Sequence, residues 1–175
     1  MHMSKRRRSI GCALLAACAP VLIGSTGTVT NLRERLLAAH NRERAGAEVP
    51  PLRWSAALEA SARSWAAQLD RTGTFRHQAD RRGAEPQGEN LWMGTSGYFT
   101  AEAMVGEWTS ERRLFRPGRF PDNSRTGRFE DIGHYTQLMW RNTDRVGCAL
   151  ARGNANDVLV CRYSQAGNVI GERPF

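Results

Sequence analysis

Beyond Lys5 the chain has no lysine; every later basic side chain is an arginine. It also lacks an unbroken apolar run of the ~20 residues that a membrane-spanning helix needs. The longest candidate starts at Ile10, reaches Ala17 and continues only patchily to Ile23. That excludes a stable transmembrane anchor there. No internal repeat and no low-complexity tract occur, so neither a solenoid nor a disordered chain is indicated. Aromatic and basic residues do not interleave in any nucleic-acid-binding motif, and the basic charge therefore does not mark a nucleic-acid partner. Cysteine and histidine are scarce at four each, so each one is informative. No serine or free cysteine stands in a nucleophile motif; Ser124 and Ser164 lack one. What is present is 175 residues with 41% hydrophobic and 24% charged content, enough for one globular domain with a core.

The formal net charge is +8, and Lys5, Arg6, Arg7 and Arg8 supply four of those charges. A basic start followed by a short apolar stretch has the pattern of an export signal, here assigned to residues 1–24. Without it the remaining net charge is +4. Two readings of its end stand side by side. "LAAC" at 15–18 resembles a bacterial lipobox, which would make Cys18 a lipidated N-terminus. Ordinary secretion would instead cleave among residues 19–27. Either reading places the protein outside the cytoplasm, secreted or periplasmic, with membrane attachment only through an N-terminal lipid. A monomer is expected.

Cys12 and Cys18 fall within or at the end of the signal, leaving Cys148 and Cys161 in an oxidising compartment. "RVGCALA" and "DVLVCRYS" read as strands around the turn-rich "RGNAND". A hairpin centred in that turn sets positions 148 and 161 opposite each other, so a Cys148–Cys161 disulfide is predicted.

Helical periodicity appears three times. Asn31 to Ala45 reads as a helix with Asn31 and Glu34 at capping-box spacing and His40 as a structural residue at the edge of its apolar face. A second helix starts after a Ser55 cap, carries Leu58, Ala62, Trp65, Ala66 and Leu69 on one stripe, and ends at Gly73. "ENLWMG" follows as a strand with Glu89. The third helix runs from about Thr100 to about Phe115. At ~100° per residue, Met104, Trp108 and Phe115 share its apolar stripe, and Glu111 falls among them. A carboxylate facing inward needs a hydrogen-bond partner, a counter-charge or a metal. A long Pro/Gly/Arg loop then leads to "DIGHYTQLMW", where His134 precedes an apolar run.

"GHYTQLMW" with "RVGCA", and "VCRYSQAGNVIGERPF", resemble the two signature motifs of the CAP superfamily, the cysteine-rich secretory, antigen 5 and pathogenesis-related class 1 proteins, whose domain is also called SCP. "AAHNRERA", "LRW" and "GENLW" match in the same order. The resemblance covers residues 31–175. It implies an α+β fold, an α-β-α sandwich with a small antiparallel sheet between helices. It also implies a cavity tetrad, matched here by His77, Glu89, Glu111 and His134. The chain departs from many eukaryotic members in having Ile132 where a cysteine precedes the Gly-His pair, in forming at most one disulfide in the domain, and in "SQAGN". These mark a minimal, bacterial-type member.

Two histidines and two carboxylates can hold a divalent metal, zinc or magnesium, act as acid and base, or form a structural network. Two functions follow. One is a non-enzymatic binding module for a lipid, a sterol-like or other small hydrophobic ligand, or a cell-surface or protein partner, with Trp92, Tyr98 and Phe99 offered as apolar contacts, although core packing is the favoured reading of Trp92. The other is a metal-dependent hydrolase that uses the tetrad.

Overall fold

In a computed structural model, residues 27–79 and 85–175 are described. The export signal, Cys12 and Cys18 lie outside them. The elements run α1 (Gly27–Ala45), β1 (Arg53–Trp54), α2 (Ala56–Thr72), β2 (Gly88–Thr95), α3 (Ala101–Ser110), a 3-10 turn (Glu111–Leu114), a second 3-10 turn (Phe129–Asp131), α4 (Gly133–Leu138), β3 (Arg145–Arg152) and β4 (Asn156–Ser164).

The strands form one sheet in the order β1-β3-β4-β2. Residue alternation along each strand assigns its two faces. On one face α2 packs Ala62, Trp65, Ala66 and Leu69 against Leu91, Val158 and Val160. On the other face Leu36 of α1, Met104 and Trp108 of α3, and Leu138 of α4 share a core with Trp92, Cys148, Leu159, Cys161 and Tyr163. The sandwich expected from the sequence is therefore present. The sheet is mixed rather than antiparallel, because β1 runs parallel to β3.

The caps of α2 follow their local chemistry. Ser55 Oγ accepts from the Leu58 amide, and Gly73 closes the helix in the left-handed conformation at φ 62°, which glycine adopts without steric cost. β3 and β4 pair with Cys148 opposite Cys161, and the two are disulfide-bonded.

Two expectations for helix ends need correction. α1 begins at Gly27, so Asn31 is an interior position and not a cap. α3 begins after Thr100, whose Oγ1 accepts from the Ala103 amide, but its α-helical part stops at Ser110 and continues as a 3-10 turn. Glu111 thus sits where the helix tightens.

Candidate functional site: two histidine–glutamate pairs beside an apolar cleft

Glu111 opens the 3-10 turn and His134 stands in the first turn of α4. His134 Nδ1 donates to Glu111 Oε1 at 2.6 Å, and the Tyr135 amide donates to Glu111 Oε2 at 3.0 Å. The inward angle read for Glu111 is therefore real, and its carboxylate is fully engaged. The Trp108 indole lies parallel to the His134 ring, with centroids 6.2 Å apart.

The second pair joins the segment after α2 to β2. His77, in the segment after α2, donates from Nδ1 to Glu89 Oε1 at 2.7 Å, and the Gln78 amide donates to the same oxygen at 3.1 Å. Glu89 is buried and faces a buried arginine, Arg162, at 2.8 Å. Glu89 and Arg162 are register partners on β2 and β4, so the strand pairing itself sets this ion pair. Nothing local in the sequence marked Arg162.

The four residues thus assort as two pairs. Adjacent residues of a strand project to opposite faces; Glu89 points toward Arg162, whereas Asn90 donates to the His134 carbonyl at 3.0 Å. Asn90 ties β2, an outer strand of the sheet, to His134. Beside the Glu111–His134 pair opens a cleft of about 440 Å³, walled by Phe75, Leu91, Trp92, Met93 and Trp108, with Glu107 and Ser110 at its polar side. His77 and Glu89 are not part of that lining. Phe75 and Met93 are half-exposed, and the Trp92 indole N–H is buried with no hydrogen-bond partner among the described residues. Tyr98 is exposed and packs edge-on against Phe99, which in turn meets Trp92.

His40 differs from the other two histidines. It is fully buried; Nδ1 is 2.8 Å from the Leu36 carbonyl and Nε2 is 2.8 Å from the Tyr163 hydroxyl. A carbonyl can only accept, so Nδ1 carries the proton and Nε2 accepts from Tyr163. Desolvation holds the His40 pKa down to about 4, which keeps the ring neutral. The same burial pushes the Tyr163 hydroxyl well above its ordinary range. Asn90 also donates to Tyr163 at 3.2 Å, so one network joins α1, β4, β2 and the backbone of His134.

Among the described residues, one group of three potential metal ligands lies within 4.8 Å of one another: His40, Cys148 and Cys161. It is not a metal centre, because the sulfurs are bonded to each other and both His40 nitrogens are occupied. Arg44 was also invisible in the sequence as more than a helix-end residue. It is fully buried and donates to the carbonyls of Pro50, Leu138, Trp140 and Thr143 at 2.7–3.0 Å. Burial lowers its pKa to about 10. It clamps the chain at the end of α4 and so fixes the helix that carries His134.

The comparisons with known proteins agree with this architecture. The model of the cysteine-rich secretory protein family matches residues 37–163. Pathogenesis-related protein 1B of Nicotiana tabacum is 33% identical over 156 residues, covering 89% of this chain and 88% of that protein. Pathogenesis-related leaf protein 4 of Solanum lycopersicum is 37% identical over 165 residues, covering 93% and 96%. Among solved structures, a crystal structure of NaASP2 with Zn2+ superposes with a TM-score of 0.68 at 24% identity, covering 87% of this chain and 88% of the other. That last likeness concerns the fold alone.

Proposed function

Because the chain belongs to the cysteine-rich secretory protein (CAP) family, we propose that it is an extracytoplasmic binding module. Its cleft takes a small hydrophobic ligand of lipid type, and its two histidines take a divalent cation. The observation that carries the first part is the cleft itself. Its walls are aromatic and aliphatic.

The cation reading rests on how the imidazoles are held. Each histidine spends Nδ1 on a carboxylate, which fixes the ring and leaves Nε2 for a ligand. That is the usual way a carboxylate orients a metal-binding histidine. His77 and His134 therefore fit zinc as ligands, with Glu89 and Glu111 as orienting groups. A bound ion would supply a positive charge beside the cleft. No helix among the described residues is long and apolar enough to cross a membrane, in keeping with an exported domain.

The cleft is tested by titrating cis-parinaric acid and following tryptophan quenching. Met93 is half-exposed on the cleft wall, so Met93→Asp should leave the fold intact and weaken the probe about tenfold, the loss of one apolar contact plus a repelled carboxylate. Equal affinity in the two proteins would remove the cleft from lipid binding.

A further inference from the structure

The sheet has a second outer edge, at β3, where among the described residues no strand pairs beyond Val146; Cys148 there is 4% exposed and Leu150 is half-buried. β1 is only two residues long and pairs with Arg145 and Val146 alone. The chain then turns away at Ser55 into α2, whose first turn passes over Gly147: a Cβ added there would lie 2.2 Å from the Glu59 nitrogen. Beyond that point β3 continues as Cys148 to Arg152 with β4 on one side only.

Two observations fix which backbone groups face outward. The Ser55 amide donates to the Val146 carbonyl at 2.8 Å, so Val146 directs its carbonyl away from β4. Backbone direction alternates along a strand, so Cys148 and Leu150 turn their N–H and C=O groups the same way. Independently, Cys148 and Cys161 have Cα atoms 4.1 Å apart, the close spacing of a pair that does not exchange hydrogen bonds across the ladder. Two amides and two carbonyls therefore face outward from β4, and among the described residues no hydrogen bond engages them.

They border a groove of about 590 Å³ between α1 and α2. Its apolar floor includes Leu36, Trp54 and Leu150, and Arg33, Arg63 and Arg152 rim it. The Arg33 guanidinium lies 5.2 Å over the Trp54 ring. Glu59, the one carboxylate in the lining, already accepts from Trp54 Nε1 and Arg63. Arg63 and Arg152 expose about two-thirds of their side chains, 68% and 66%.

We propose that this edge is a docking site for an extended, acidic peptide segment of a partner protein, which adds a strand beside β3. The backbone of Cys148 and Leu150 supplies the ladder bonds, alternate apolar side chains settle on the floor, and carboxylates meet the arginines. A second copy of the chain is disfavoured as occupant, because it would bring the same three arginines to the same edge.

Wild-type protein is titrated with an alternating glutamate–valine hexapeptide, with its lysine–valine counterpart, and with the glutamate peptide N-methylated at alternate residues. Amide hydrogen exchange is read at Cys148 and Leu150 by NMR. The glutamate peptide is expected to bind and to slow exchange at both amides, and the lysine and N-methylated peptides are expected to bind at least about tenfold more weakly. The double variant Arg33→Glu, Arg63→Glu, with circular dichroism as a check of fold, is expected to lose the glutamate peptide and gain the lysine one. Unchanged affinity on N-methylation would overturn strand pairing. Absence of protection at millimolar peptide, or protection of both amides by palmitate alone, would overturn a peptide partner.

Discussion

His40 and His134 are joined by one hydrogen-bond network, yet they are built for opposite tasks. His40 is sealed, with both ring nitrogens engaged by protein atoms and its charge suppressed by burial. His134 is about one-third exposed, with one nitrogen on a carboxylate and the ring edge beside a cleft. His77 repeats the second arrangement at greater exposure. The same residue type thus becomes a packing element where all its hydrogen-bonding capacity is used internally, and a site where a carboxylate spends only one nitrogen. Nδ1 on a carbonyl with Nε2 on a hydroxyl closes a network; Nδ1 on a carboxylate presents an oriented Nε2.

The sharpest way to break this contrast is to remove the sealed ring. His40→Phe keeps the aromatic bulk and leaves the Tyr163 O–H donor without its acceptor in the core, while the Leu36 carbonyl keeps its helical bond. It is expected to cost about 2 kcal/mol in urea denaturation, for one buried donor left unpaired. A loss below ~1 kcal/mol would mean that His40 is not structural.

Acid sharpens the same contrast. Burial holds the His40 pKa at about 4 in the fold, against an ordinary value of 6.5. The unfolded chain therefore takes up this proton first as pH falls. Its contribution is fully present above about 6.5, is lost progressively down to about 4, and is flat below that. The loss is on the order of 3 kcal/mol, and His40→Phe should abolish that part of the slope. Urea midpoints measured across that pH range in both proteins provide the check.

The exposed pair should behave otherwise. His77→Ala with His134→Ala removes an exposed ring and a partly buried one, and Glu89 and Glu111 keep Arg162 and the Tyr135 amide as partners, so stability should change by about 1 kcal/mol or less, read from the same urea curves. A loss as large as that of His40→Phe would make all three histidines structural and erase the distinction.

Much of this was legible in the chain. The Ser55 cap, the Gly73 stop and the stripe on α2 are local signals, and the hairpin register followed from a turn of known centre. Glu111 announced itself because a carboxylate among Met104, Trp108 and Phe115 breaks the apolar pattern. The rest depends on distant partners. His40 looked like an edge residue because Tyr163, which seals it, lies 123 residues away. Arg44 reads as an ordinary helix-end arginine until carbonyls from residues 50 and 138–143 converge on it. The Glu89–Arg162 pair requires the β2–β4 register, and the parallel β1 carries too few residues for any periodicity. The tetrad itself was named by resemblance, not by spacing, and its members are hydrogen-bonded as His77–Glu89 and His134–Glu111.

The central claim is that the exposed histidines present oriented nitrogens to a cation while the sealed one does not. Zinc titration calorimetry tests it most directly, on wild type purified without chelator, the His77→Ala, His134→Ala double variant, and Glu111→Gln. The account predicts reversible binding in the wild type that weakens in acid as the imidazoles protonate. It predicts no binding in the double variant and reduced affinity in Glu111→Gln, where the orienting charge is lost. The same zinc affinity in all three proteins would contradict it.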